Sequence, residues 1–157
     1  MSTFRLFNIV PESLRGSHQH TGKHGLFLAF DVLTRCPQDL GFRLGKTYYL
    51  CATRKGECEN AIVTIRDPET GSLSCVVPEK LDNECLGPLR LIVFEPVEPD
   101  VVGFIAAVSR ALALKGISIL AYSDYRRDYL LIPEESVEKA IEALEEIGCS
   151  FQGRLED

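Results

Sequence analysis

The chain has 157 residues, 45% of them hydrophobic, and carries 17 Lys and Arg against 23 Asp and Glu for a net charge of −6. A core of useful size can be buried, the acidic balance without a basic stripe argues against a nucleic-acid partner, and no apolar run approaches the ~20 residues of a membrane span. Residues 1–13 hold no cationic segment leading into a long apolar one, so no export signal is expected and the cytoplasm is the expected location.

In chain order, the first half reads as short strands at residues 4–10, 26–33, 47–53, 61–65 and 73–77, each rich in β-branched or aromatic residues and bounded by Gly, Pro, Asp or Asn. Residues 66–71, RDPETG, place Pro and Gly as a tight loop prefers, which predicts a hairpin over 61–77. Between the first two strands, residues 11–25 read as a polar loop. Six cysteines, Cys36, Cys51, Cys58, Cys75, Cys85 and Cys149, contain no C-x-x-C pair. Without an export signal they are expected as thiols, with Cys51 and Cys75 filling strand positions as small hydrophobes.

After residues 81–88 the pattern changes. Residues 89–94 predict a strand, and the prolines at 96 and 99 bar an early helix. Val101, Val102, Phe104, Ile105, Val108, Ala111 and Leu112 then recur at the 3, 4, 7 spacing of an amphipathic helix that Lys115-Gly116 ends. Strands follow at 117–122 and 129–132, joined by a charged turn. Pro133 and Ser136 introduce a second helix with Val137, Ala140, Ile141, Leu144 and Ile147 on one face, and residues 149–153 suggest a last strand. The fold class is therefore α+β: a ferredoxin-like βαββαβ unit preceded by a β-rich N-terminal half. Both helices should cover one face of the sheet, leaving the other to the first half or a second subunit.

The stretch GISILAYSDYRRDYLLIPEE, residues 116–135, with GFIAAV at 103–108 and AIEAL at 140–144, resembles the ACT domain family. The likeness is to the branch related to aspartate kinase regulatory domains and CASTOR-type arginine sensors, which reads close to GISI-x-x-x-STYDTDYILVPEE at that hairpin. This chain departs from the pattern with Asp124 for Thr, Arg126 for Asp and Arg127 for Thr. The resemblance sets a division at 86/87, with residues 87–157 as an ACT-like domain. Residues 1–86 stay open between a divergent second ACT-like unit and a β-rich domain of another kind.

An ACT unit implies a small-molecule sensor, usually of an amino acid, working as an oligomer, so a homodimer is expected. A helix beginning at Asp100 or Val101 would aim the unpaired amides of Val101, Val102 and Gly103 at a carboxylate. Gly103 would let the ligand backbone approach, and Asp100 or Glu98 could pair with its amino group. The plainer reading makes Asp100 a helix N-cap, and the two roles are compatible. The resemblance brings the neighbouring strand to the same site, with Ile119 and Ser123. Ser123 and Asp128 stand where the related pattern has Ser and Asp, which assigns them to loop geometry or ligand polarity.

His18, His20 and His24 form an H-x-H-x3-H cluster. Three imidazoles within seven residues could hold zinc with an open position, and a metal-dependent hydrolase or transferase with the ACT-like half as its regulator is the alternative function. No Asp or Glu lies inside the stretch to act as a base, so a polar loop without metal is the reading kept. No P-loop, Rossmann fingerprint, G-x-S-x-G or HExxH occurs. The expectation is an amino-acid-binding regulatory protein rather than an enzyme, with no cofactor, and beside it an interaction module whose ligand site is vestigial.

Overall fold

The computed structural model describes residues 33–37, 39–53, 58–81, 84–98 and 100–155. The expected strand at 4–10 and the histidine loop lie outside these residues. So does the expected strand at 26–33, except Leu33, which with Thr34 has helical backbone.

Alternation of Phe42 and Leu44 with Arg43 begins the longest strand, β1 (Gly41–Thr53). It is followed by β2 (Val63–Arg66), β3 (Leu73–Val77), β4 (Cys85–Phe94), α1 (Phe104–Leu114), β5 (Leu120–Ser123), β6 (Asp128–Pro133), α2 (Val137–Glu146) and β7 (Ser150–Arg154). The β2–β3 hairpin forms over the predicted RDPETG turn, where Asp67 accepts amide hydrogens from Glu69 and Thr70.

The sheet runs β2-β3-β1-β4-β6-β5, and β7 pairs with β1. This corrects the expected unit. In a self-contained βαββαβ unit the last strand lies beside the first. Here β1, from the first half, lies between β4 and β7: it is antiparallel to β4 from Phe42↔Phe94 to Cys51↔Cys85, and parallel to β7 at Gly41↔Ser150 and Phe42↔Phe151. A 13-residue strand with apolar side chains for both faces offers β4 more pairing and burial than the five-residue β7 does. The division at 86/87 falls inside β4.

A bulge sets which face each part of β1 serves. Between Leu44↔Ile92 and Thr47↔Arg90, β1 spends three residues where β4 spends two. Before it, Phe42 and Leu44 join the cluster under the helices. Past it, Tyr48 joins Leu89, Leu91, Val93 and Leu131 in a second cluster. Gly45 sits at the bulge, where a β-carbon would come within 3.0 Å of the Leu91 side chain.

Both helices cover the same face, as the change of periodicity implies. Phe104, Val108 and Leu112 of α1 and Val137, Ala140, Ala143 and Leu144 of α2 share one core with Phe42, Ile92, Phe94, Leu130 and Ile132. Arg90 braces the sheet from below α2. Its guanidinium forms a two-pronged pair with Glu134 and donates to the Gly45 carbonyl at 3.1 Å, while Thr47 donates to Glu134 at 3.0 Å.

The cysteines are not thiols. They form three disulfides, Cys36–Cys149, Cys51–Cys85 and Cys58–Cys75, spanning sequence separations of 113, 34 and 17. The fold brings together cysteines that are far apart in sequence. Cys51 and Cys85 are partners in the β1–β4 register. The Cys36 amide donates to the Ile147 carbonyl at 2.8 Å, bringing the segment before β1 to the end of α2.

Candidate ligand-binding site

The first turn of α1 begins later than its apolar periodicity suggests. The Val101 amide donates to the Glu98 carbonyl at 3.0 Å, a turn contact rather than a helix start. Gly103 is the N-cap, with φ 91°, a left-handed conformation that costs glycine little and other residues more. Asp100 makes no cap and is exposed. The first helical bond runs from the Ala107 amide to the Gly103 carbonyl at 2.9 Å, which leaves Phe104, Ile105 and Ala106 as the outward-facing amides in place of Val101, Val102 and Gly103.

Facing that turn is the β5–β6 hairpin, and its order comes from Asp124. One carboxylate oxygen accepts the amides of Arg126 (2.7 Å) and Arg127 (2.9 Å) and the other accepts the Tyr129 hydroxyl. The Asp124 amide in turn donates to the Arg127 carbonyl at 3.0 Å. The Tyr129 hydroxyl first, and the two amides after it, hold the Asp124 carboxyl below its ordinary value. Partial burial, then the carboxylate, raises the Tyr129 phenol. Ser123 donates to Asp128 at the base of the same hairpin.

Between hairpin and helix lies a cleft of about 510 Å³, lined by Val97, Glu98, Val101, residues 103–106 and residues 124–128. Of the residues singled out in the sequence, Glu98, Val101, Gly103 and Asp128 line it. Ser123 supports Asp128 from behind, and Asp100 and Val102 are exposed but outside the lining. Ile119 lines a separate groove of about 320 Å³ with residues 86–89, Leu131 and Pro133. The sequence reading did not assign to the site Phe104, Ile105 and Ala106, nor Tyr125, Arg126 and Arg127, which the hairpin brings over the helix end. Neither arginine's guanidinium forms a hydrogen bond or close ion pair among the described residues, but the Arg127 charge acts on the Glu95 and Asp124 carboxylates and helps to hold both low. No cluster of three or more metal-ligating side chains occurs among the described residues.

Residues 91–146, which carry both walls of this cleft, match the family model of the ACT domain. That segment is an ACT domain. No curated protein matches the chain. Among solved structures, protein Atu0741 from Agrobacterium tumefaciens is similar at 18% identity and a TM-score of 0.65, over 76% of this chain and 97% of that one. VC0802 from Vibrio cholerae, a protein of unknown function, is similar at 23% identity and 0.64, over 78% and 98%. An aspartokinase structure of alpha and beta subunits is similar at 16% identity and 0.53, over 68% and 91%. At these identities the likeness is one of fold. The ACT domain here shares its sheet with β1, β2 and β3, so its cleft is built on a frame to which the first half contributes the central strand.

Proposed function

We propose that the chain is an amino-acid-binding regulatory protein whose ligand enters the cleft between α1 and the β5–β6 hairpin and shifts the pairing of subunits. The observation that supports it is that one cleft of the ACT domain brings together the first-turn amides of α1, the N-cap Gly103 and a Glu98 carboxylate with no hydrogen-bond or ion-pair partner among the described residues. The amides and the helix dipole favour a carboxylate, and Glu98 is the group for an ammonium. Among the described residues β5 ends the strand order, so its outer edge offers backbone donors and acceptors for a homodimer contact. A ligand that binds one pairing better than the other shifts the equilibrium by its differential affinity.

The test is a thermal-shift screen of the common amino acids followed by titration calorimetry, with sedimentation run with and without the amino acid that scores. A ligand present at 100 times its Kd stabilises by about 2.7 kcal/mol. Ala106→Asp is the site variant. Ala106 is exposed at the third helical position, where an acidic side chain favours the helix and repels a ligand carboxylate. Binding lost with melting temperature kept supports the reading; binding kept refutes it.

The reading gives the protein no catalytic role. The cytoplasmic placement belongs to the same proposal, and the three disulfides weigh against it, since cytosolic thiols are ordinarily kept reduced.

A further inference from the structure

We propose that Cys58, Cys75, Cys51 and Cys85 form a thiol–disulfide exchange site. It takes two electrons from a dithiol and turns the Cys58–Cys75 and Cys51–Cys85 disulfides into one Cys51–Cys75 bond with thiols at Cys58 and Cys85. The site is independent of the ligand cleft. The sheet register sets its sulfurs in one row: across β2, β3, β1 and β4, Thr64 lies opposite Cys75, Cys75 opposite Cys51, and Cys51 opposite Cys85. Directly opposed residues present their side chains on the same face, and the four cysteines share one apolar cluster with Leu73, Val77 and Tyr49. Cys51 therefore has a disulfide-bonded cysteine on each side, and is bonded to only one of them.

The pairing not made lies within reach. The Ala52 amide donates to the Glu84 carbonyl at 3.0 Å, so the amide of the preceding Cys51 faces β3, and Cys51 and Cys75 are a hydrogen-bonded pair of the ladder. Such a pair holds its α-carbons ~5.5 Å apart, inside the span that a disulfide bridges. The polar contacts suit the exchange as well. The Thr64 hydroxyl donates to Cys75 Sγ at 3.9 Å, a contact that favours a thiolate there. The Leu81 carbonyl lies 3.6 Å from Cys85 Sγ and is an acceptor for the hydrogen of a Cys85 thiol.

Burial decides where the exchange starts and where it stops. Cys51 and Cys75 are fully buried, whereas Cys58 and Cys85 are half-buried. A thiolate of the dithiol therefore attacks an outer sulfur. At Cys58 the bond to Cys75 breaks and Cys75 leaves as a thiolate; the second thiol of the reagent then displaces Cys58, which leaves as a thiol while the reagent closes into a cyclic disulfide. The Cys75 thiolate attacks Cys51 Sγ, the Cys51–Cys75 bond forms, and Cys85 departs with the electron pair and takes up a proton. Entry at Cys85 runs along the same row in reverse: Cys51 is the thiolate released, it attacks Cys75, and Cys58 departs. Both routes end with the bond between the two sulfurs that solvent does not reach and the thiols at the two that it does.

The test treats the full chain with one equivalent of dithiothreitol in the absence of oxygen, quenches in acid, labels with N-ethylmaleimide and maps the unreduced digest by mass spectrometry. Label on Cys58 and Cys85, with a peptide linked through Cys51 and Cys75, is the result expected. Label on Cys51 or Cys75, or a row that dithiothreitol leaves intact in the folded chain, overturns the inference. Cys58→Ser tests the central step without a reductant, because it frees the Cys75 thiol from the start. In that variant the label should shift to Cys85. Label kept at Cys75, with the Cys51–Cys85 bond intact, overturns the inference too.

Discussion

Tyr129 donates its phenolic hydrogen to Asp124, while the other oxygen of the same carboxylate takes the amides of Arg126 and Arg127. One side chain therefore couples the start of β6 to the loop over the cleft. Asp124→Ala should speed hydrogen exchange at the Arg126 and Arg127 amides while leaving the helices unchanged; unchanged exchange at the tip would show that the loop holds its shape without the carboxylate. Because the Asp124 carboxyl is held low, its contribution is fully present above the unfolded value near 3.8 and is lost as pH falls through the lower folded value. Protection at these amides should therefore be flat from pH 7 to 5 and fall only in stronger acid.

Glu134 receives the Arg90 guanidinium and the Thr47 hydroxyl at the junction of β1, β4 and the start of α2. The arginine, by its hydrogen bonds, holds the Glu134 carboxyl below its ordinary value. Its contribution is likewise present at neutral pH and fades in acid. Glu134→Gln keeps the shape and removes the charge; because the pair is partly exposed, the loss should be about 1 kcal/mol. A thermal melt at pH 7 checks it, and the difference between parent and variant should shrink only as pH falls below the ordinary carboxylate value and through the lowered folded one.

Gly103 stands at φ 91°. Gly103→Ala should destabilise by about 1 kcal/mol, since a β-carbon is disfavoured in that conformation. A melt that does not move would show that the turn before α1 relaxes freely.

With six cysteines in three disulfides, the chain unfolded without reductant should show no free thiol to a thiol-specific reagent. Replacing Cys36 and Cys149 together by Ser opens a loop of more than a hundred residues and should cost about 2–5 kcal/mol. Six reactive thiols in protein purified without reductant would contradict the pairing.

The C-terminal elements were legible because each carries its own period. The 3, 4, 7 spacing marked α1, the apolar run at 129–132 marked β6, and β3 falls at the predicted residues 73–77. What local pattern does not carry is who lies beside whom. The strand expected at 47–53 begins at Gly41 instead: Gly45 marks a bulge within β1, and the preceding Phe42 and Leu44 are core residues. Sheet order brings Cys51 opposite both Cys85 and Cys75, and of the two it bonds Cys85. At the cleft, Asp100 has the chemistry of a cap, but the Val101–Glu98 turn and the conformation of Gly103 move the helix start three residues on. The departures Arg126 and Arg127 were the visible signal for the second wall, and only the fold shows them facing α1.

The insertion of β1 between β4 and β7 has a consequence for how the polypeptide reaches this state. The frame is interlaced in time as well as in space. β1 is made early, but one flank of its first half stays open until residues 150–154 have been synthesised, and the Cys36–Cys149 bond waits for the same moment. Pairings of such long sequence separation are slow to form. A nascent chain therefore presents an unfinished strand edge until β7 has emerged, and a fragment cut to the ACT match at 91–146 would lack the strand its own β4 is built against.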